Sequence, residues 1–465
     1  MRESGVGMKT LAIIGGGAAG LTAAVVASLS VRKARLGEGG SALEGVHVVL
    51  YEADERVGRS ILATGNGRCN FSNSDISQGD FRNGAFVADA VMVLEDVVSE
   101  LDLGKKRPRY VYGQAVHDFF AALGLEWREE GEGRLYPRSG RASSVLDVLR
   151  GACDALGVEL RCGLAVEAVE PPAGLASKTT RDRGSRFTLK MADGSFERAD
   201  AVIVACGGSV ARAMLPDSFL FVETTPVLGP LATDARVARQ LDNIRVRGTA
   251  RLMRNEAQVA CEEGEVLFRK YGLSGIAVFN LSRDAQPGDV VEVDLLPGLR
   301  DCDVEPYAFS RFKALTKIYG HGLTCGAYLR GFVLPQVARV VLKEVGFDED
   351  AKCLKADVPE IMRAFKRLRF TVEGIADARQ CQVHRGGFSV EAFSPCTMEA
   401  LKVPGLFAAG EMLDVDAACG GYNLHWAWTS GIIAGSSAVA RLTGGEVRSF
   451  PASSASAGAL AGGEE

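Results

Sequence analysis

The chain has 465 residues, 47% of them hydrophobic, and a formal net charge of −5. That length and apolar share support two or three domains with buried cores, and the acidic balance gives no global attraction for nucleic acid or an anionic membrane. Its 11 cysteines are scattered, with no CxxC pair, which excludes a disulfide framework or a structural metal site and points to a reducing cytoplasm.

Residues Met1–Gly7 read as a ragged N-terminus ahead of an apolar strand, Leu11-Ala12-Ile13-Ile14. The strand runs into Gly15-x-Gly17-x-x-Gly20 and a helix of small residues. This is how a dinucleotide-binding βαβ unit opens. Gly15 permits the tight turn, Gly17 lets the backbone approach a pyrophosphate, and Gly20 lets the helix pack on the strand. The anion then meets unpaired N–H groups at the helix N-terminus, around Ala18 and Ala19. The pattern calls for FAD or NAD. The apolar stretch Leu11–Leu29 is broken by the glycines and continues into a second strand, so it reads as neither signal peptide nor membrane span. A soluble, cytoplasmic protein is expected.

The second strand is Val48-Val49-Leu50-Tyr51, and Glu52 at its end is placed to accept hydrogen bonds from adenosine ribose hydroxyls. Glu52 falls beyond the usual offset of about twenty residues, which an enlarged loop over residues 31–45 explains. Glu44 is nearer that offset but follows no strand. The stretch Val57–Asn73 is too rich in Gly and Asn for a buried strand or helix. It suits a ligand-facing loop, in which Arg59, Thr64, Gly65, Asn66, Gly67 and Asn70 are candidate cofactor contacts.

Helical patterns follow at 89–101 and 143–156, with a hairpin-like segment at 133–139 between them. The basic run Lys105–Arg109 reads as a solvated loop. The strand Ala201–Ala205 ends at Cys206-Gly207-Gly208, a second glycine turn of the kind that lies under a dinucleotide cofactor. Short β-like runs from Phe221 to Leu296 predict an inserted β domain over 216–300. Amphipathic segments around 307–317 and 334–344 predict a helical subdomain over 301–369, in which Lys366-Arg367-Leu368-Arg369 reads as a solvated helix face. The chain then returns to strand and glycine at Leu406–Glu411, and Gly420-Gly421-Tyr422-Asn423-Leu424 opens a helix reaching Val439. The fold class is therefore α/β: residues 1–215 and 370–445 form one discontinuous Rossmann-like domain, interrupted by the two inserted pieces, and 446–465 is a tail expected to be disordered.

Five segments carry a family resemblance: Thr64–Asn73 (TGNGRCNFSN), Gly133–Ala142 (GRLYPRSGRA), Val266–Gly275 (VLFRKYGLSG), Ser394–Ala400 (SPCTMEA) and Gly405–Gly435. Together they resemble the BaiN/YhiN-like flavoproteins of the two-dinucleotide-binding superfamily. The resemblance implies FAD as cofactor, and a β-barrel-like domain and a helical domain that cover it and build the substrate pocket. It also implies that Gly207, Gly208, Gly410, Glu411 and Gly420–Leu424 contact FAD. A helix N-terminus at Gly420–Asn423 would stabilise negative charge on the reduced flavin. Two departures stand out: Gly58-Arg59-Ser60 where the family has Gly-Arg-Lys, and His384 where it has a small hydroxyl residue.

No second GxGxxG unit is visible, so NAD(P)H is expected as a transient reductant rather than the ligand of a dedicated domain. Relatives of this family are associated with reducing unsaturated bile-acid intermediates, with forming dihydrouridine in large-subunit ribosomal RNA, and with oxidising aminoacetone. The first two share a C=C bond conjugated to a carbonyl, to which hydride adds at one carbon while an acid protonates the other. The favoured reading is reduction of a small enone. Ribosomal RNA is a less favoured partner, given the acidic net charge. Cys69 and Arg68 are the first candidates for acid or oxyanion donor, followed by Tyr271, His384 and His425.

Overall fold

The computed structural model describes residues 8–36, 45–101, 112–172, 186–445 and 448. The stretch before Met8, most of the enlarged loop with Glu44, the basic run Lys105–Arg109 and the tail after 445, apart from Arg448, lie outside the described residues. The chain divides into two compact units, Met1–Thr225 with His384–Glu465, and Pro226–Val383.

The first unit is built on a parallel sheet. Its strands lie in the order Leu406–Ala408, Ala201–Val204, Lys9–Ile14, Val46–Glu52 and Glu159–Cys162. Leu11, Ala12 and Ile13 on the central strand have no accessible surface, as a parallel strand covered on both faces requires. Burial of each Leu, Ile or Val of this kind contributes about 1.5–3 kcal/mol. Helix Ala18–Leu36 packs against the C-terminal helix Tyr422–Thr443. A Cβ on Gly431 would stand 2.5 Å from the Ala19 carbonyl oxygen, and one on Gly435 would run into that of Ala23. The two backbones approach at a spacing that no side chain would allow there. A three-stranded antiparallel meander, Val166–Glu170, Phe187–Met191 and Phe196–Ala199, and a small sheet of Ser72–Asn73, Arg134–Pro137 and Trp127–Glu130 are further sheets of this unit.

The second unit has its own core. Strands Leu231–Thr233, Gly272–Ser274, Ala257–Arg269, Arg245–Arg254, Val290–Asp294 and Leu368–Ile375 close in that order into a barrel. Between the last two in sequence come the helices Val304–Tyr319, Pro335–Glu344 and Val358–Lys366. Their buried residues Val341, Ile361 and Phe365 join Phe268, Val293 and Phe370 of the barrel in one cluster.

These observations correct two readings of the sequence. Leu368–Ile375, assigned there almost wholly to the Rossmann-like domain, pairs with both Val290–Asp294 and Leu231–Thr233 and closes the barrel. The second unit accordingly runs from 226 to 383, and the β and helical pieces share a core within it. Lys366–Arg369 is a solvated face only at Arg367 and Arg369, and it spans a helix end and a strand start rather than one helix. Lys366 is buried, with its ammonium 2.8 Å from Asp294 and donating to the Leu296 carbonyl at 3.1 Å. Arg367 pairs with Asp301 and Arg369 with Glu256. Among the described residues no helix is long and apolar enough to cross a membrane.

Candidate functional site

The first glycine turn closes on itself. Gly15 has φ +102°, and a Cβ there would lie 2.5 Å from the Ala205 carbonyl oxygen; a side chain at Gly20 would strike the Gly15 carbonyl. Both are required by the protein's own packing. Gly17 differs, since a Cβ there would meet only the Ser60 hydroxyl, at 3.1 Å. Its backbone is open to a ligand, directly before the first N–H groups of helix Ala18–Leu36, which have no intrahelical acceptor. Glu52 braces this turn: one carboxylate oxygen accepts from Gly16 N–H at 2.7 Å and the other from Asp54 N–H at 2.9 Å. Each oxygen keeps a further lone pair for a hydroxyl.

The loop after Glu52 sorts its candidates. Arg59 is exposed and pairs with Asp54 at 3.0 Å. Arg68 is committed to Glu130, with both carboxylate oxygens within 2.7 Å, and its guanidinium lies over the Tyr136 ring at 4.3 Å. Cys69 has no accessible surface. Burial pushes its thiol up to about 11, only partly countered by a hydrogen bond with Thr64. These two first candidates for the acid are thus a paired arginine and a core cysteine. Asn70 remains, with its side-chain oxygen buried and unpartnered among the described residues. Thr64 and Gly65–Gly67 form a tight turn against it, Gly65 facing the Asn70 backbone.

The second glycine turn meets the C-terminal segment. Gly208 N–H donates to the Glu411 carboxylate at 3.4 Å, and the His384 N–H donates to the same group. A Cβ on Gly208 would stand 3.0 Å from that of His384, so Gly207, Gly208, His384 and Glu411 form one cluster. Part of Glu411 stays accessible, yet desolvation lifts its carboxyl to about 7, helped by Asp416 and opposed by the two N–H donors. His384 is partly buried, and desolvation lowers its pKa. Gly410 adjoins the first helix, 3.1 Å from Ala19 measured at its would-be Cβ, and donates its N–H to Ser430 at 2.9 Å.

At the start of the last helix, Gly421 has φ +99°, and a side chain there would collide with the Ser72 carbonyl. Asn423 is not free to reach a ligand through its side chain. Its amide exchanges hydrogen bonds with the Ala417 backbone at 2.9 Å in both directions and donates to Ala418 at 3.3 Å. Tyr422 packs edge-on against Phe81, and burial raises its hydroxyl to about 12. Leu424 packs on the core. His425 is fully buried and bonds Ser72. Tyr271 belongs to the second unit, in the turn before Gly272–Ser274, where its carbonyl accepts from Thr233 N–H at 3.0 Å.

Sequence reasoning missed Asp414 and Asp416. Arg82 holds Asp414 at 2.8 Å, and Arg385 holds Asp416 at 3.1 Å; both carboxylates are almost wholly buried. These pairs pin the segment that leads to Gly420. Their only sequence signal was the Asp-x-Asp spacing after Glu411. His117 and Ser72, which touch each other in the interior at 2.7 Å, gave no signal at all.

The residues fit a dinucleotide cofactor on three observations: the open backbone at Gly17, the braced Glu52 at the strand end, and the unpartnered Asn70 oxygen beside a glycine-led helix N-terminus. A family profile, the HI0933-like protein Rossmann domain, matches residues 9–437. The chain is 31% identical to the 3-dehydro-bile acid delta(4,6)-reductase of Clostridium scindens, over 93% of this chain and 100% of that protein. It is 27% identical to the ribosomal RNA dihydrouridine synthase of Haemophilus influenzae (90% and 95% covered) and 26% identical to that of Escherichia coli (90% and 95%). The chain belongs to the HI0933-like family of Rossmann-fold flavoprotein oxidoreductases.

Proposed function

We propose that the protein is an FAD-dependent reductase of a C=C bond conjugated to a carbonyl, in a small steroid-like enone, with NAD(P)H as transient reductant. The observation that carries this reading is the 31% identity to a bile-acid reductase along that enzyme's entire length. FAD, when bound, supplies the hydride chemistry. Glu52 and the backbone at Gly17–Ala19 hold the adenosine and pyrophosphate end. Gly207, Gly208, Glu411, Asn70 and the N–H groups at Gly420–Tyr422 hold the remainder.

The proton is assigned among the candidates of the first unit by pairing and accessibility. Arg68 is ion-paired and cannot release a proton near neutral pH, and Cys69 and His425 have no accessible surface. His384 is partly accessible and fixed beside Gly208 and Glu411. In this reading its imidazolium form, a minority at pH 7 that water protons regenerate, delivers the proton to the substrate carbon next to the carbonyl. The likeness to dihydrouridine synthases supports a second reading, since a uracil ring presents the same conjugated C=C. Anaerobic photoreduction of the flavin, followed by addition of a 4,6-dienone steroid or a ribosomal RNA fragment, separates the two. Rapid reoxidation by the steroid alone is expected; reoxidation by RNA alone would install the second reading. Peroxide release from an amine substrate in air would overturn both.

A further inference from the structure

Three polar side chains deep in the first unit are unaccounted for by cofactor contact or proton delivery. The Ser72 hydroxyl lies 2.7 Å from His117 Nε2 and 2.8 Å from His425 Nδ1, and all three residues are buried, Ser72 and His425 completely. Phe71 and Trp127 pack against His117, and Phe120 packs against Phe71. The two imidazoles stand edge to face with centroids 6.0 Å apart. Ser72 belongs to the ligand-facing loop, and His425 lies one turn into the helix that Gly421 opens.

The same junction is clipped at three further points. Asn73 Nδ2 donates to the Gly420 carbonyl at 3.0 Å, Trp428 Nε1 donates to the Phe71 carbonyl at 2.8 Å, and the Ser72 carbonyl fills the space that a side chain at Gly421 would need. Asn70, with its unpartnered oxygen, sits in the same contact, 2.9 Å from that would-be Cβ.

We propose that Ser72, His117 and His425 form a positioning array, setting the Thr64–Asn73 loop against the N-terminus of the Tyr422–Thr443 helix so that the two segments hold the flavin in one geometry. This rests on the reading of both segments as flavin contacts. The physical basis is the single proton of the serine hydroxyl. Ser72 can donate to His425 while accepting from His117, or donate to His117 while accepting from His425. Either way the ring that accepts from the hydroxyl is neutral and fixed in one tautomer, and the other ring presents an N–H to Ser72. A chain of this kind is directional, and its geometry is tighter than apolar packing alone would give. The remaining nitrogen of His425 has no partner among the described residues. The helix therefore retains a buried imidazole whose one side-chain bond reaches across to the loop, a costly arrangement unless that bond matters.

The experiment compares purified wild type, Ser72→Ala and Ser72→Thr. It measures FAD affinity by fluorescence titration, the melting temperature of the FAD-free protein, and the imidazole 15N resonances. Ser72→Ala is expected to weaken FAD binding about tenfold, the worth of one good buried hydrogen bond, with an FAD-free melting temperature within about 2 °C of wild type. The His425 nitrogens should move from a single tautomer toward a mixture. Ser72→Thr, which keeps the hydroxyl, should restore both. Should Ser72→Ala not fold, His425→Leu is expected to show the same loss and His425→Gln, which keeps a polar end for Ser72, to recover most of it. FAD affinity unchanged in Ser72→Ala, or lost in step with FAD-free stability and not recovered by Thr, overturns the array while leaving the cofactor site intact. A wild-type protein that binds no FAD overturns the cofactor reading and the array together.

Discussion

His384 and Cys69 show how burial decides between side chains that look equally able on paper. A thiol at about 11 with no accessible surface holds its proton and meets no substrate, whereas the His384 imidazole beside the second glycine turn is partly accessible. His384→Gln is expected to slow reoxidation of the reduced enzyme by enone roughly two to four orders of magnitude while leaving reduction by NAD(P)H nearly intact. Cys69→Ala should leave both half-reactions unchanged and lower stability by about 1–2 kcal/mol, as a small core truncation does. Stopped-flow traces at the flavin band check both. His425 adds a pH signature. Burial, reinforced by His117, depresses its pKa from 6.5 to about 3. The unfolded chain thus takes up a proton below pH 6.5 that the folded chain refuses. Its contribution to stability is complete above pH 6.5 and is lost as the pH falls toward 3, by about 1.4 kcal/mol per pH unit. Urea melts at pH 7 and pH 5 should therefore differ by about 2 kcal/mol more in wild type than in His425→Gln; equal differences would count against the neutral buried ring.

Among the elements, the glycine turn between Lys9–Ile14 and Ala18–Leu36 is the clearest case for a test that separates ligand from scaffold. At Gly15 and Gly20 any side chain meets backbone, but at Gly17 the protein offers only the Ser60 hydroxyl. Gly17→Val should therefore fold with near wild-type melting temperature in the FAD-free state and yet purify with little flavin, read from the ratio of 450 to 280 nm absorbance. A yellow Gly17→Val protein would remove the turn from the site. This element was legible in the sequence because an apolar run, a glycine spacing and a small-residue helix each report the same local geometry. Glu52 was legible for the same reason, at the end of a strand whose apolar run is unmistakable. Cys69 was not, since a cysteine in a Gly- and Asn-rich loop carries no mark of the core beneath it. Lys366 was not, because a charge run reads the same whether its first member faces water or turns in toward Asp294. Ser72, His117 and Asp416 escaped because their partners are 45 residues distant or more, or, at Arg385, 31 residues away, and no local pattern encodes such pairings.

Across the whole molecule, two separate hydrophobic clusters mean two cooperative blocks. Every residue proposed to contact the flavin lies in the first unit. Calorimetry is expected to show two transitions, with added FAD moving only one. At a free concentration one hundred times the dissociation constant, the shift corresponds to about 2.7 kcal/mol. A single transition displaced as one by FAD would mean that the blocks melt together.

The order of the strands has a consequence for biosynthesis. The central sheet takes its edge strand, Leu406–Ala408, and its long covering helix, Tyr422–Thr443, from the segment that follows the inserted unit, so residues up to 225 emerge from the ribosome without the pieces that complete their sheet. The barrel unit ends at Val383 and has all its strands and helices while its host is still being translated. Non-local pairings of this kind are slow to form and leave apolar surface exposed in the interval. The inserted unit can therefore fold while its host is incomplete, and the flavin fold that carries the insert closes only after residues 406–443 have been made.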